Sequence, residues 1–222
     1  QRAVCKLSVG ERGRAGVEGR VLRHVDRETT VPVPAVLATD DAGFVAEYRA
    51  DAPTTDRSAV ESALEPVDHR VGTAWLRAAG WTLARLHDEA TFVRSGTLAL
   101  TTRDSSSVPT TTDEPAGPAV GDDALGSETQ WGSGSPEATW PVTLDAQLAV
   151  YEDALVGTGY ADVAGDAREF VTTHAERFAL PDAWRPSLLH GWFSPKHVAV
   201  RDGRVACVVD FEHALVGSPE WD

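Results

Sequence analysis

This chain is short of several residue types, and each shortage limits what it can do. Its 222 residues include no methionine and only two cysteines. The chain has 20 lysines plus arginines and 34 aspartates plus glutamates, which gives a formal net charge of −14. A field of that sign repels polyanions, so we expect no nucleic-acid partner and no anionic membrane surface. No apolar run reaches the roughly 18 residues of a membrane-spanning helix, and no secretory leader opens the chain. The sequence therefore predicts a soluble, cytoplasmic protein.

Lysine and cysteine are the scarcest of the chemically useful residues. Lysine occurs only at Lys6 and Lys196. An acidic, lysine-poor chain is typical of a protein that works in high salt, where screening relieves self-repulsion. A GC-rich genome that favours arginine codons explains the same bias. Cys5 and Cys207 each lie in an apolar run, which favours two buried free thiols over a disulfide or a metal pair.

The two ends of the chain predict a fragment of a longer reading frame. Position 1 is not methionine, and the chain stops abruptly after Pro219-Glu220-Trp221-Asp222. A chain of this length can bury one sizeable core or two small lobes that share one. We interpret it as one domain.

Residues 1–50 predict a small β-sheet lobe. The predicted elements are a strand over 2–9, a helix over 15–27, an extended proline-containing stretch over 30–34, and a hairpin of strands 36–39 and 44–48. The alternation of side chains in the first strand directs Lys6 away from the face of Cys5 and Leu7.

Residues 51–222 predict a larger, mainly helical lobe. A helix is predicted over 69–89, with a buried stripe of Leu76, Ala79, Leu83 and Leu86, and two more helices are predicted from the spacing of Leu144, Leu148, Tyr151 and Leu155 and of Val163, Ala167, Phe170, His174 and Phe178. The polar segment at about 101–139 has too few apolar side chains to offset the entropy of ordering, so we predict a flexible insert anchored by Trp131 and Trp140. Together the two lobes predict an α+β fold.

The stretch from His190 to Ala214 carries the strongest chemical signal. Two β-branched runs, 198–200 and 205–209, flank the turn Arg201-Asp202-Gly203-Arg204 and predict a tight hairpin. Asp210 stands where the second strand ends. The loop and the hairpin together span 188–214.

Several motifs resemble, in order, those of the aminoglycoside phosphotransferase and choline-kinase-like superfamily. They are the strand 3–6, Glu18 within 17–22, Pro32-Val33-Pro34, the segment 83–87, His190-Gly191, Asp210-Phe211-Glu212 and the segment 217–222. The resemblance implies a bilobal protein-kinase-like fold with a truncated sheet lobe. It implies ATP-dependent transfer of a phosphate to a hydroxyl of a small molecule.

The resemblance also implies that parts of the family's structure lie beyond this chain. The glycine-rich loop that covers the phosphates would precede Lys6, before Gln1, and the helices that follow the Asp210 motif would come after Asp222. Gly10, Gly13 and Gly16 follow the lysine strand and lack the family's glycine spacing, so we interpret them as loop residues.

By the same resemblance, four side chains receive roles. Lys6 would donate to the phosphates of ATP or another nucleoside triphosphate, and Glu18 would hold that lysine by an ion pair. Asp210 would hold Mg²⁺, and His190 would brace the loop. The alternatives are a solvated strand lysine at Lys6 and a turn-capping aspartate at Asp210.

Two positions of the loop depart from the family pattern. Trp192 stands where the family has its base aspartate, and His197 stands where it has a metal-binding asparagine. An indole has no basic lone pair, and loss of a general base typically costs about 10² to 10⁴ in rate. Imidazole is also a poorer magnesium ligand than an amide oxygen.

The sequence therefore leaves two hypotheses open. The first is a phosphotransferase, either intact or impaired by the loss of the base aspartate, whose catalytic residues are His190, Trp192, His197 and Asp210, the last two at the metal. The second is a non-catalytic, pseudokinase-like module that binds a nucleotide or a partner. The sequence identifies neither the hydroxyl acceptor nor the oligomeric state.

A zinc site is an alternative interpretation of the same stretch. His190, His197, Asp210 and His213 are of types that bind zinc, but their spacing matches no common zinc motif. Lys196 could offer its charge to a phosphate or could be a solvated loop lysine.

Overall fold

The computed structural model of the protein describes residues 2–10, 13–52, 69–98 and 139–222. The predicted insert at 101–139 and its anchor Trp131 therefore lie outside the described residues, apart from residue 139. The helices are α1 (Ala15–Glu28), α2 (His69–Glu89), α3 (Trp140–Leu155), α4 (Ala161–Thr173) and α5 (Ala175–Phe178). The strands are β1 (Ala3–Leu7), β2 (Val36–Thr39), β3 (Gly43–Glu47), β4 (Gly96–Thr97), β5 (Ser187–Leu189), β6 (Val198–Arg201), β7 (Arg204–Val208) and β8 (Leu215–Gly217).

A three-stranded antiparallel sheet lies at the amino end, in the order β1, β3, β2. In the turn between β2 and β3, the carboxylate of Asp40 accepts hydrogen bonds from the backbone N–H groups of Ala42 at 2.8 Å and Gly43 at 2.9 Å. This is the local interaction by which aspartate stabilises a turn. The predicted strand, helix and hairpin of this region are confirmed, and β1 is shorter than predicted at both ends.

Helix α1 packs its apolar stripe against this sheet. Val21, Leu22 and Val25 are buried at helical spacing. Gly19 faces Phe44, and a Cβ at Gly19 would lie 2.5 Å from the Cβ of Phe44. Glycine is therefore what allows the helix to approach the sheet so closely. This approach brings the first turn of α1 next to β1.

The rest of the chain is mainly helical, with short strands between the helices. Strands β4, β8 and β5 form a second sheet, and β6 and β7 form a separate hairpin. Helix α2 packs against β5 and β7, and α3 packs against α4. A small sheet with a larger helical part is the predicted α+β fold. None of the described helices is both long and apolar enough to cross a bilayer.

The buried face of α2 differs from the prediction. Ala79 and Leu86 are buried as predicted, but Leu76 is 66% exposed. On α4, for which the sequence predicted helical spacing alone, Val163 is exposed and its neighbour Ala164 is buried. Helical periodicity defines the spacing of a stripe, but when two adjacent stripes are apolar it does not decide which one meets a neighbour.

The predicted hairpin between β6 and β7 is confirmed. Its turn residues Asp202 and Gly203 have φ angles of 52° and 73°, and a type I′ turn needs positive φ at both positions. Just beyond β7, the N–H of Val209 donates to the carbonyl of His197 at 2.9 Å. The hairpin thus returns the chain to the loop from which it started.

The two cysteines are free thiols, as predicted, but only one is buried. Burial raises the pKa of the Cys207 thiol to about 11. The prediction of burial is wrong for Cys5, which is exposed on β1. An apolar run indicates a strand, but whether another element covers that strand depends on packing.

Candidate functional site

Lys6 and Glu18 meet where β1 and α1 pack together. The Nζ atom of Lys6 lies 2.7 Å from Oε2 of Glu18. The side chain of Glu18 is only 3% exposed, whereas that of Lys6 is 34% exposed. The predicted ion pair is therefore present, with its carboxylate inside the protein and its ammonium at an opening.

Asp210 brings the other end of the chain to the same ammonium. It follows β7 with a φ of 71°, a left-handed conformation that aspartate tolerates better than most residues. Its Oδ1 atom lies 2.7 Å from Nζ of Lys6. In the 3₁₀ turn that follows, Oε2 of Glu212 lies 3.0 Å from the same Nζ. Glu212, the last residue of the motif Asp210-Phe211-Glu212, thus also contacts the central lysine.

The charges of this cluster depend on one another. Burial lowers the pKa of Lys6, but the charge of Glu18 and hydrogen bonds to three carboxyl groups outweigh it, so the pKa is raised. Burial raises the pKa of Glu18 to about 7 against the pull of Lys6. The hydrogen bond from His197 holds the pKa of Asp210 well below its usual range, and Lys6 adds to this effect. Lys6 and Asp210 are therefore charged at neutral pH.

The carboxyl groups of this cluster also fit a divalent metal. One oxygen from each of Glu18, Asp210 and Glu212 lies within 4.8 Å of the others. Carboxylate oxygens are the hard ligands that Mg²⁺ takes in proteins. Because the ammonium of Lys6 lies among them, a metal bound by Asp210 and Glu212 would have to share or displace that ammonium.

His197 is engaged through both ring nitrogens. Its Nδ1 lies 2.9 Å from the carbonyl oxygen of Trp192, and its Nε2 lies 3.0 Å from Oδ2 of Asp210. Both oxygens are hydrogen-bond acceptors, so the two contacts are satisfied together when both nitrogens donate, as they do in the protonated ring. Burial lowers the pKa of His197, but the hydrogen bonds to Asp210 and Trp192 outweigh burial and raise it. An imidazolium has no lone pair for a metal, so the role of His197 at magnesium stays a prediction that requires its ring to leave Asp210.

Trp192, at the position of the family's base, has a side chain that is 52% exposed. Its ring packs edge-on against the rings of His197 and His213, with centroid distances of 5.3 and 5.5 Å. The position therefore presents an indole where the resemblance would place a carboxylate.

His190 is fully buried, and backbone groups satisfy both of its ring nitrogens. Its Nε2 donates to the carbonyl of Val209 at 3.0 Å, and its Nδ1 accepts from the N–H of Trp192 at 3.3 Å. Burial lowers the pKa of His190 to about 4, so the ring is neutral at physiological pH. These contacts suit a bracing residue better than a proton carrier.

Asp222 supports the same loop, although sequence reasoning assigned it no role. Its fully buried carboxylate accepts hydrogen bonds from the N–H groups of His190 and Gly191, both at 2.7 Å. It also lies 3.1 Å from Nε2 of His87. The sequence contained one signal for Asp222, its place at the end of the matching segment 217–222. A buried carboxylate needs hydrogen-bond donors, and the loop supplies them.

The zinc alternative is not supported by these positions. The ring of His190 faces the carbonyl of Val209, while the Nε2 of His213 lies 3.5 Å from Glu212. Among the described residues, the group of potential ligands that converges is the carboxylate group of Glu18, Asp210 and Glu212.

Replacing Gly191 with alanine should strongly destabilise the loop. Gly191 has a φ of 81°, and an added Cβ would collide with the backbone carbonyl of His213. We expect Gly191→Ala to lower the free energy of unfolding by about 2–4 kcal/mol, measured by urea denaturation. Gly203→Ala is the matched control, because Gly203 has a φ of 73° but nothing lies within 4 Å of its added Cβ. Gly203→Ala should lower the free energy of unfolding by about 1 kcal/mol. Equal losses of stability in the two variants would argue against a collision between the added Cβ of residue 191 and the carbonyl of His213.

Lys6, Glu18 and Asp210 line one cavity of about 670 Å³, a size typical of small-molecule sites. Its apolar lining includes Val4, Leu22, Phe44, Ala46 and Val209, and its polar lining includes Lys196 and His197. The link after β3 completes the wall, which sequence reasoning did not foresee. In that link, Arg49 makes two hydrogen bonds of 2.8 Å to Asp51 and donates to the carbonyl of Ala206 at 2.9 Å.

Comparison with known proteins identifies the family. A model of the phosphotransferase enzyme family (APH) matches residues 2–222. Among curated proteins, none matches this chain in sequence.

Solved structures of two aminoglycoside phosphotransferases are similar to this chain. A thermostable mutant of APH(4)-Ia matches in its apo form with a TM-score of 0.56 and 15% identity, over 99% of this chain and 69% of the other. The ternary complex of another mutant of that protein with ADP and hygromycin B matches with a TM-score of 0.53 and 15% identity, over 93% and 58%. The streptomycin and ATP complex of APH(2")-IIa matches with a TM-score of 0.51 and 16% identity, over 99% and 62%.

At these identities the structural likeness establishes the fold alone. The chain spans 58% and 62% of the length of the two complexes. The match to the family model, in contrast, covers nearly all of the chain. The chain therefore belongs to the phosphotransferase enzyme family.

Proposed function

We propose that this chain binds magnesium-complexed ATP, or another nucleoside triphosphate, and transfers its terminal phosphate to a hydroxyl of a small molecule. The observation that carries the proposal is the meeting of Lys6, Glu18 and Asp210 at one cavity, with 2.7 Å between Nζ of Lys6 and each carboxylate. An ammonium held by a buried glutamate, next to a carboxylate suited to magnesium, is what phosphoryl transfer requires for positioning. The similar structures that contain ADP with hygromycin B, and ATP with streptomycin, support the same assignment.

Each part of the site would have one task. Lys6 would bind the phosphates, and Glu18 would hold the lysine in place. Asp210 and Glu212 would hold magnesium, which when bound neutralises charge on the phosphates. The loop from His190 to His197 would position the acceptor, and the lobes 1–50 and 51–222 would form the two walls. The protein would be cytoplasmic, and its acidic composition supports an adaptation to high salt.

The test is magnesium-dependent ATP consumption by the full-length protein. The acceptor panel should include aminoglycosides, amino alcohols and sugars, each at low and at high salt. We expect turnover with at least one acceptor, abolished by a chelator. If a chain shown to be folded by circular dichroism turns over none of them, phosphate transfer is excluded for these acceptor classes and the proposal fails.

A second function is favoured by the loop itself. Trp192 offers no basic group, and both nitrogens of His197 are occupied by Trp192 and Asp210. We therefore also propose, as the alternative, a pseudokinase-like module that binds the nucleotide without transferring its phosphate. Nucleotide binding without turnover in the same assays is the result that this alternative expects.

A further inference from the structure

We propose that Lys196 is a second phosphate-binding residue of this site, whose ammonium contacts the terminal phosphate of the bound nucleotide. This inference rests on the proposed function and extends it. It assigns to Lys196 a role that depends on its charge and on its position beside His197.

The site needs a further cation. The ammonium of Lys6 is surrounded by Glu18 at 2.7 Å, Asp210 at 2.7 Å and Glu212 at 3.0 Å. A triphosphate that approaches this cluster meets more carboxyl groups than ammonium groups. Even with magnesium bound by the carboxylates, the terminal phosphate gains from a cation that is not already paired.

The other cationic side chains of the cavity wall already make hydrogen bonds or ion pairs within the protein. Arg49 makes two hydrogen bonds to Asp51 and one to the carbonyl of Ala206. His197 is held by Asp210 at 3.0 Å. Lys196 lines the same cavity with an exposed side chain, and within the described residues no ion pair involves it.

The backbone holds Lys196 at a defined place. The N–H of His197 donates to the carbonyl of Ser194 at 2.9 Å, which closes a β-turn with Pro195 and Lys196 at its centre. Proline at the first central position fixes φ and stiffens such a turn. Lys196 is thus set beside His197, whose ring contacts Asp210, so only its flexible side chain has to move to reach a phosphate.

The distribution of lysine points the same way. Only two lysines occur in the chain, whereas arginine supplies the other 18 of its 20 lysines plus arginines. Both lysines line this one cavity. A lysine ammonium is a compact point charge with rotatable donors, suited to a single phosphate oxygen, whereas an arginine fork is larger and planar. The chain is biased towards arginine, whether from salt adaptation or from codon usage. Both positions that depart from this bias line the same cavity.

The experiment is calorimetric titration of the full chain with Mg–ATP and, separately, with adenosine. We expect Lys196→Ala to weaken Mg–ATP binding by about tenfold and to change adenosine binding by less than about twofold. Lys196→Arg should recover only part of the loss, because it keeps the charge but replaces the compact ammonium with a larger, planar guanidinium. Arg204→Ala is the matched control, since Arg204 is an exposed cation of the nearby hairpin that does not line the cavity.

The outcomes separate this inference from the proposed function. If the parent binds Mg–ATP and Lys196→Ala binds it equally well, the role of Lys196 is overturned and the proposed function stands. Equal losses for ATP and adenosine would mean that Lys196 only supports the fold of the loop, which also overturns it. A folded parent that binds neither ligand would overturn the proposed function, and this inference with it.

Discussion

Asp210→Asn is expected to weaken magnesium-dependent ATP binding by at least about a hundredfold. The substitution keeps the size of the side chain and a residue type that tolerates the φ of 71° at this position. It removes the negative charge that pairs with Lys6 and His197 and that would hold the metal. Titration with ATP in the presence and absence of magnesium measures the effect, and urea denaturation reports any change in stability.

The matched control for this variant is Asp202→Asn. Asp202 is also an aspartate with a positive φ, 52°, but it is exposed in the turn between β6 and β7. We expect its ATP affinity to stay within about twofold of the parent. If Asp210→Asn binds ATP and magnesium as the parent does, the metal role of Asp210 is wrong under both proposed functions.

The double variant Trp192→Asp/His197→Asn should raise the rate of phosphate transfer by about 10² to 10⁴. It restores a carboxylate that can accept the proton of the acceptor hydroxyl, and it replaces the imidazole ring of His197 by an amide oxygen that suits magnesium. Because Trp192 is 52% exposed, its replacement opens no buried cavity. The measurement is the turnover number for ATP with the best acceptor, compared with each single variant.

Trp184→Asp provides the control for loss of an exposed tryptophan, because Trp184 is 54% exposed and lies outside the loop. It should leave the rate unchanged. Activity that appears only in the double variant would favour the non-catalytic function for the natural chain. Activity in the parent that rises in the double variant would favour an impaired enzyme, and a parent that is active and gains nothing would show that the loop does not need a carboxylate.

Local elements were predictable because their causes are local. The hairpin of β6 and β7 follows from an Asp-Gly turn between β-branched runs, and the turn before β3 follows from Asp40 and its neighbours. Helices α1 and α2 follow from apolar spacing. The exposure of Cys5 and of Leu76 was not predictable, since it depends on which neighbouring element covers a face.

The candidate site was predictable only in part. The motifs singled out Lys6, Glu18 and Asp210, whose side chains do meet. They did not show that Glu212 also contacts Lys6, or that Asp222 holds the backbone of the loop. Those contacts depend on the direction of each side chain after the turn that follows β7, and residue spacing carries no such information.

The sequence by itself determined the local elements, the scarcity of lysine and the order of the motifs, because short-range sterics, turn chemistry and composition act along the chain. Only the tertiary structure decided that Nζ of Lys6 lies 2.7 Å from Oδ1 of Asp210, a residue 204 positions away. It also decided that both ring nitrogens of His197 contact neighbours, the carbonyl of Trp192 and the carboxylate of Asp210. The physical reason is that α1 packs against both the first sheet and the 3₁₀ turn Phe211–His213 that follows Asp210, and packing between segments far apart in sequence sets distances that no local rule encodes.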